Sequence, residues 1–393
     1  MTTPAPPAST PTGKPERYHG LDLLRAVAMM LGLLMHASMA YSLPEVALSM
    51  GLEPVPEDSI ANWIYLLMGW IHQWRMPVFF VLAGFFGAMI LERRGAGGFF
   101  RDRLLRIGLA LLVFATALDL LSPPYKGELG HLWFLYYLMG IAALASAFAW
   151  ILVRSSGAAR VARGLAWPAK RLSTASLYLL PLIALTPLAR EQGWAIIPER
   201  LGDFHLPSFA YYTLIFAIGA ALYQHRSVLQ TIQRWPVIIG SLIVATLCML
   251  LAMEALFALE GFNGGWLEWA PFSAISTAGW CLFFIGLSLR VLRGPNAVVS
   301  WFVALSYGIY ILHLYPSVGL GAIFLSWGWS AGEAFWPTVL ATFIASVALY
   351  YVLIRFTPLD WLLAGPRKAW FRPHWVGLKR WGAVPRENPE GKS

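Results

Sequence analysis

The chain has 393 residues, of which 58% are hydrophobic and only 12% are charged. Because soluble domains average about half apolar and about a quarter charged residues, this composition excludes an ordinary soluble protein and predicts a protein embedded in a lipid bilayer. The net charge of +9 does not indicate a nucleic-acid partner, since the basic residues lie between apolar runs, where membrane topology explains them.

Ten apolar runs approach the roughly 20 residues that a helix needs to cross a bilayer. They lie near residues 21–43, 61–91, 104–122, 132–153, 173–190, 207–224, 236–257, 270–290, 299–327 and 334–355. The runs predict an all-α fold, a polytopic transmembrane helix bundle over residues 19–357. Residues 1–18, rich in Pro, Thr and Ser, are predicted to be a disordered cytoplasmic tail. Residues 358–393 are basic and aromatic, which predicts a cytoplasmic tail lying on the membrane surface.

Basic residues occupy alternate loops between the spans. Arginines cluster at 93–106 and basic residues at 154–171, and two further alternate loops carry Arg226, Arg234, Arg290 and Arg293. The opposite loops hold few basic residues and several acids, among them Glu45, Glu53, Glu57 and Asp58. The positive-inside rule therefore predicts that both termini face the cytoplasm, in agreement with an even number of spans.

The first span carries three ionisable residues, which are costly in a membrane and are functional candidates for that reason. Asp22, Arg25, Met29, Gly32 and His36 are spaced by three and four residues, so they form one stripe on the helix. Arg25 and His36 project within about 20° of each other, about 16 Å apart along the axis. Met29 and Gly32 would leave room along this face. Alternatively, Arg25 reaches the cytoplasmic surface and His36 is a satisfied core residue.

The second span contains His72 and Arg75, one helical turn apart, followed by Pro77. Proline removes a backbone hydrogen bond and favours a kink, which can open a cavity and orient polar groups into it. We therefore treat His72 and Arg75 as candidate substrate-binding residues. Alternatively, both are solvated at the outer interface.

Four further polar residues lie at or inside other spans. Arg103 and Arg106 open the third span and are suited to binding phosphate, although such a pair also serves as an ordinary cytoplasmic anchor. His131 opens the fourth span from the outer side, where an interfacial role is the alternative. His313 lies within the ninth span and fits either a packing or a relay role.

Several common catalytic motifs are absent from the sequence. It has no phosphate-binding Gly-x-x-x-x-Gly-Lys loop, no Gly-x-Ser-x-Gly elbow and no His-Glu-x-x-His motif. Its eight histidines show no metal-ligand spacing, and its two cysteines, Cys248 and Cys281, lie inside apolar runs. ATP hydrolysis and zinc chemistry therefore have no support, and no metal site is expected.

Arg25 and His36, separated by ten residues, resemble the signature of the acyltransferase-3 family of membrane proteins. Arg103 and Arg106 resemble a second motif of this family, Arg-x-x-Arg. The resemblance is stronger to one branch, the glucans biosynthesis protein C group, through residues 72–86, 131–135 and 309–313. Ala83 departs from the pattern, since many members carry Ser there, and we do not expect this to abolish activity.

The resemblance implies an O-acyltransferase in a bacterial inner membrane, with acyl-CoA as cytoplasmic donor and a periplasmic glucan as acceptor. For this branch it implies succinyl transfer from succinyl-CoA. Histidine is the usual base for a hydroxyl near neutral pH, so His36 is expected to act as the base or as a brief acyl carrier. Arg25 is expected to stabilise developing charge, and Arg103 and Arg106 to bind the CoA phosphates.

The remaining polar candidates are assigned to substrate binding: Arg75, His72, His131, His313 and Asp22. Arg75 has no acid nearby in sequence and can hold the second carboxylate of a succinyl group by two hydrogen bonds. Two other classes of function remain open. The charged stripe also suits a transporter or flippase for an anionic or lipid-linked substrate, and a non-catalytic scaffold is a weaker alternative.

Overall fold

The computed structural model describes residues 17–42, 55, 60–121, 124–191, 194–258 and 266–364. In these residues the chain is a bundle of α-helices with one small β-hairpin, which confirms the predicted all-α membrane fold. Three predictions fall outside the described residues: the tail up to residue 16, the four loop acids at 45, 53, 57 and 58, and the surface segment beyond residue 364.

The described elements are mostly long helices joined by short turns. The helices are α1 (His19–Ala37), α2 (Met39–Ser42), α3 (Asn62–Arg103), α4 (Leu109–Asp119), α5 (Trp133–Arg154), α6 (Ser156–Ala166), α7 (Leu172–Ala175), α8 (Leu179–Ala189), α9 (Leu206–Gln224), α10 (Leu229–Ile232), α11 (Trp235–Ala258), α12 (Trp266–Val291), α13 (Ala297–Leu312), α14 (Leu314–Ser326), α15 (Ala331–Leu349) and α16 (Asp360–Ala364). Segments Leu104–Gly108 and Tyr350–Arg355 are π-helical. The strands are β1 (Arg190–Glu191) and β2 (Trp194–Ala195), paired antiparallel.

Eight helical runs of the described chain are long and apolar enough to cross a membrane. A ninth is formed if α13 and α14, which meet at an angle of 69°, are taken as one broken span. The predicted count of ten spans and the cytoplasmic placement of both termini stay predictions.

One of the eight runs, Asn62–Asp119, is 58 residues long. At 1.5 Å per residue a straight helix of this length would extend about 87 Å, roughly twice the thickness of a bilayer with its headgroups. The run is interrupted at Gly95, which has a φ of 66° and a ψ of 178°. Arg94 and Asp102 form a 2.7 Å ion pair across this break. The break lies between the predicted spans 61–91 and 104–122.

Glycines allow α3 and α9 to approach closely. A Cβ on Gly84 would lie 1.9 Å from the backbone oxygen of Phe216, and one on Gly219 would lie 1.9 Å from that of Val81. Small residues at such crossings let two membrane helices pack backbone to backbone. This contact fixes the position of α3, which carries Arg75.

The loops that precede α5 and α9 meet at the end of the bundle predicted to face outward. The backbone nitrogen of Leu129 donates to the oxygen of Glu199 at 2.7 Å, and that of Leu201 to Gly127 at 2.9 Å. The Asp119 carboxylate, at the end of α4, accepts from the backbone nitrogen of Gly127 at 2.7 Å. These bonds hold the entry to α5, where His131 lies.

Candidate active site

The stripe predicted on α1 runs between two distinct environments. Asp22 forms an ion pair with Arg25 at 3.6 Å, and both side chains line a large cavity together with Met29. Further along the helix, Gly32 contacts the guanidinium of Arg75, and His36 is buried against His313. The room expected beside Gly32 is therefore filled by Arg75.

The cavity has a volume of about 990 Å³ and lies at the end of the bundle predicted to face the cytoplasm. Its charged lining consists of seven arginines and three aspartates: Arg17, Arg25, Arg93, Arg94, Arg103, Arg106, Arg355, Asp22, Asp102 and Asp360. Both π-helical segments contribute to the wall, a backbone form often found at functional sites. An excess of guanidinium groups around a cavity of this size favours an anionic ligand such as a phosphorylated cofactor.

Arg103 and Arg106 both line this cavity, as their predicted role in phosphate binding requires. Arg106 also forms an ion pair with Asp102 at 3.4 Å, and Arg103 stands over the ring of Phe99 at 5.3 Å. Arg25 lies over the ring of Phe86 at 5.6 Å. The structure thus brings three of the predicted arginines to one cavity.

Three histidines from distant parts of the chain meet deeper in the bundle. Nδ1 of His36 lies 2.8 Å from Nε2 of His313, with the two rings nearly parallel. The ring of His131 lies 5.8 Å from that of His36 and 5.2 Å from that of His313, measured between centroids. All three side chains are buried. Sequence analysis predicted none of these contacts, because the residues are far apart in the chain: His36 and His313 are separated by 277 positions.

The histidines gather where α13 ends and the chain bends into α14. The last carbonyl groups of a helix have no partner within it and need donors from elsewhere. His313 Nδ1 lies 2.6 Å from the backbone oxygen of Tyr310. His131 Nε2 lies 3.0 Å from the same oxygen and 3.2 Å from that of Ile311. In return, the Tyr310 hydroxyl donates to the backbone oxygen of His131 at 2.7 Å. The broken span therefore supplies the carbonyls that orient two of the rings.

Arg75 is buried beside this group, with only 4% of its surface exposed. A Cβ on Gly32 would lie 2.3 Å from its Nη1 and 3.2 Å from the ring of Tyr310. Within the described part of the chain, Nε and Nη1 of Arg75 have no hydrogen-bond partner. A buried guanidinium with unused donors is costly, so the position favours an anionic ligand. The alternative that Arg75 is solvated at the interface does not hold.

His72 lies elsewhere. Its Nε2 accepts a hydrogen bond from the backbone nitrogen of Ala195 at 3.2 Å, and its ring contacts Trp194 with centroids 4.5 Å apart. These contacts join α3 to β2. The structure therefore places His72 against the hairpin and not in the group formed by His36, His131 and His313.

Arg190 is 3% exposed and forms a second buried polar centre. Its Nη1 donates to the side-chain oxygen of Gln73 at 2.8 Å, and its Nη2 to the backbone oxygen of Gln73 at 3.3 Å. The Gln73 amide nitrogen donates to the Ser273 backbone oxygen at 2.6 Å and to the Thr277 hydroxyl at 3.0 Å. The centre ties β1 and α12 to α3.

This polar centre compensates for Pro77. Proline leaves the carbonyl four residues earlier, that of Gln73, without its helical donor. Arg190 and the Thr277 hydroxyl, the latter at 3.2 Å, supply donors to that oxygen. The backbone of α3 accordingly keeps helical dihedral angles at Pro77. The cavity beside Pro77, of about 450 Å³, is lined largely by apolar side chains.

No group of three or more His, Cys, Asp or Glu side chains with a metal-binding arrangement occurs among the residues that the structure describes.

The chain matches one protein family and several named relatives. A family model described as an acyltransferase domain matches residues 18–355. Glucans biosynthesis protein C from Escherichia coli O139:H28 (strain E24377A / ETEC) is 24% identical over 393 aligned residues, covering 89% of this chain and 95% of the relative. The proteins of the same name from E. coli O81 (strain ED1a) and E. coli (strain K12 / DH10B) are 25% and 24% identical over 392 residues, with the same coverage. No solved structure matches.

The family model spans the stripe on α1, the cavity arginines and the three histidines. The resemblance predicted from Arg25, His36, Arg103 and Arg106 is therefore confirmed. With its apolar helices, the protein is a polytopic membrane acyltransferase, and the chain belongs to the acyltransferase-3 family.

Proposed function

We propose that this protein is an O-acyltransferase of a bacterial inner membrane that moves a succinyl group from succinyl-CoA in the cytoplasm to a hydroxyl of a periplasmic glucan. The relatives named glucans biosynthesis protein C support a glucan acceptor. The succinyl group follows from the resemblance to that branch. Nε and Nη1 of Arg75, which have no partner in the described part of the chain, are compatible with it.

The observation that carries the proposal is the continuity of the α1 stripe. One face of a single helix begins in a basic cavity at Asp22 and Arg25, passes Arg75 at Gly32, and ends at His36. An enzyme that uses a cytoplasmic donor and an external acceptor needs such a path, with phosphate-binding charge at one end and a proton acceptor at the other.

The roles follow from these positions. Arg103 and Arg106 bind the CoA phosphates, and the acyl-thioester arm extends inward past Met29. Arg25 lines the same cavity, about 16 Å from His36 along the helix axis, too far to contact the same reacting atom. We therefore assign Arg25 to donor binding with Asp22, in place of the role in charge stabilisation expected from sequence. His36 takes the proton from the acceptor hydroxyl.

The proposal is tested with the purified full-length protein in lipid nanodiscs. It is mixed with a periplasmic glucan and either succinyl-CoA or acetyl-CoA, and both free CoA thiol and glucan mass are measured. We expect a glucan that gains succinyl groups in proportion to the CoA released. His36→Ala should fold normally and lose about 10²–10⁴-fold in rate, as is typical when a general base is removed.

His225→Ala is the matched control, because His225 lies at the end of α9, away from the three clustered histidines. Retention of near wild-type transfer by His36→Ala would rule out His36 as the base. If sealed vesicles instead show net flux of substrate with no covalent change, the protein is a transporter.

The donor assignment has its own test. Replacing both Arg103 and Arg106 by Gln should weaken CoA binding far more than glucan binding, because each charge-assisted contact contributes about 1.5–3 kcal/mol. Arg160 and Arg163 have the same spacing on α6 but do not line the cavity, so their double replacement by Gln is the control. Unchanged CoA affinity after replacement of Arg103 and Arg106 would show that this pair is an ordinary cytoplasmic anchor.

A further inference from the structure

Backbone carbonyl oxygens determine which ring nitrogens of the clustered histidines carry protons. A carbonyl oxygen only accepts, so a ring nitrogen within hydrogen-bond distance of one must donate. Nδ1 of His313, 2.6 Å from the Tyr310 oxygen, is therefore protonated. Nε2 of His131, which lies near the oxygens of Tyr310 and Ile311, is protonated for the same reason.

The neutral ring of His313 then has a lone pair on Nε2. A doubly protonated ring would need a counter-ion, and no carboxylate contacts the three histidines in the described ranges, whereas the positive charge of Arg75 acts on all of them. Since Nε2 of His313 accepts, the proton in its 2.8 Å contact with His36 must come from Nδ1 of His36. The second nitrogen of His36, Nε2, makes no hydrogen bond to any described residue.

We propose that His313 is a positioning residue that holds His36 in the Nδ1-protonated tautomer and so leaves the lone pair of His36 Nε2 available as the base. This inference rests on the proposed function. The acceptor hydroxyl gives its proton to His36 Nε2 while its oxygen forms a bond to the thioester carbonyl carbon. The carbon–sulfur bond then breaks, and the CoA sulfur takes the proton from Nε2.

The chain of donors also stabilises the charged intermediate. When His36 becomes an imidazolium, its Nδ1–H still donates to His313, and His313 donates to the carbonyl at the end of α13. The carbonyl end of a helix carries partial negative charge, which favours a cation nearby. His131 is bound to the same carbonyls directly and has no hydrogen bond to His36, so its removal should not change the His36 tautomer.

The test is nitrogen NMR of the full-length protein in nanodiscs, labelled with ¹⁵N-histidine. The His36 signals are identified by their loss in His36→Ala, and the ¹⁵N shift distinguishes a protonated ring nitrogen from a bare one. In the wild type we expect a protonated Nδ1 and a bare Nε2 on His36. His313→Leu should mix the two tautomers and lower kcat about tenfold to a hundredfold with little change in KM. This is the range seen when a partner that orients a metal-bound histidine is lost.

His313→Gln is the conservative variant, because the Gln side-chain oxygen can accept from His36 Nδ1 and its nitrogen can donate to the Tyr310 carbonyl. It should restore the single tautomer and most of kcat. His131→Leu should leave the His36 tautomer as in the wild type.

A proton on Nε2 of His36 in the wild-type protein would overturn the proposal, and so would an unchanged tautomer in His313→Leu. The NMR result is independent of turnover. If the wild-type protein transfers no acyl group, the proposed function fails while the spectra still decide the tautomer.

Discussion

Two buried arginines, Arg75 and Arg190, lie in contrasting polar environments around the same helix. Arg75 is 4% exposed and Arg190 3%, yet their hydrogen bonding differs. Both terminal nitrogens of Arg190 donate to Gln73, and only its Nε lacks a partner among the described residues. Arg75 has two nitrogens without such a partner, Nε and Nη1. Arg190 is therefore part of the scaffold that supports α3. Arg75 is held in place by that scaffold but keeps hydrogen-bond donors that are not used.

The contrast shows how a membrane bundle can hold an unpaired charge. An isolated guanidinium in an apolar interior would be expelled or paired. Arg75 stays because α3 is fixed by the glycine contact with α9 and by the Gln73 network, and because Gly32 on α1 leaves space for its end. Burial alone does not separate the two arginines. The two arginines differ in the number of their unused hydrogen-bond donors, and variants of each residue test that difference.

The largest effect is expected for Arg75→Met. If Arg75 holds the second carboxylate of succinyl, its loss should cost about 3 kcal/mol of binding, or roughly a hundredfold in kcat/KM. Residual acetyl transfer should be spared, and the unfolding temperature should stay equal or rise, because an unpaired buried charge is removed. Transfer assays with both donors and thermal unfolding measure this. Arg75→Lys should recover little, since an ammonium lacks the guanidinium fork. An equal loss with acetyl-CoA would contradict the carboxylate role.

Arg190→Met should give the opposite result. It removes the donor to the side-chain oxygen of Gln73 and leaves the Gln73 backbone oxygen with Thr277 alone. A buried acceptor left without a partner costs about 1–3 kcal/mol. We expect a loss of about 2 kcal/mol in the free energy of unfolding, with the ratio of succinyl to acetyl transfer unchanged. Denaturant unfolding in detergent and the two-donor assay provide the measurements. A shift in the acyl preference would mean that Arg190 also contacts substrate.

The fold class and the α1 stripe could be predicted from sequence because both depend on local spacing. The partners of the stripe could not. His36 meets His313 and Gly32 meets Arg75 through contacts between helices distant in sequence. Arg190 was missed for the same reason. Counting four residues back from Pro77 identifies Gln73 as the residue with an orphan carbonyl, but no local pattern indicates that its donors come from β1 and α12.

A smaller effect is expected for Gly32→Ala. The new methyl group would displace the Arg75 guanidinium, whose flexible end can move, so we expect about a tenfold loss of succinyl transfer, in line with an overpacking cost of about 1–3 kcal/mol. Stability should not fall by more than this, because Ala favours a helix over Gly by about 1 kcal/mol. Gly240→Ala is the control, since a Cβ on this α11 glycine meets nothing within 4 Å. Equal transfer by both variants would show that Arg75 need not occupy its present position.

The smallest effect concerns Thr277, which shares the Gln73 carbonyl with Arg190. Thr277→Val keeps the shape and removes one of the two donors, so the unfolding free energy should fall by about 0.5–1.5 kcal/mol. Thr186→Val is the matched control, because the buried Thr186 hydroxyl donates only to the Leu182 oxygen of its own helix. The double variant Arg190→Met/Thr277→Val should lose more unfolding free energy than the two single variants together. Only the double variant leaves the Gln73 carbonyl without any donor. A coupling of about 0.5–3 kcal/mol is usual for residues in one network. Strict additivity would show that the two side chains do not share this oxygen, and α3 would then need another source of rigidity to hold Arg75.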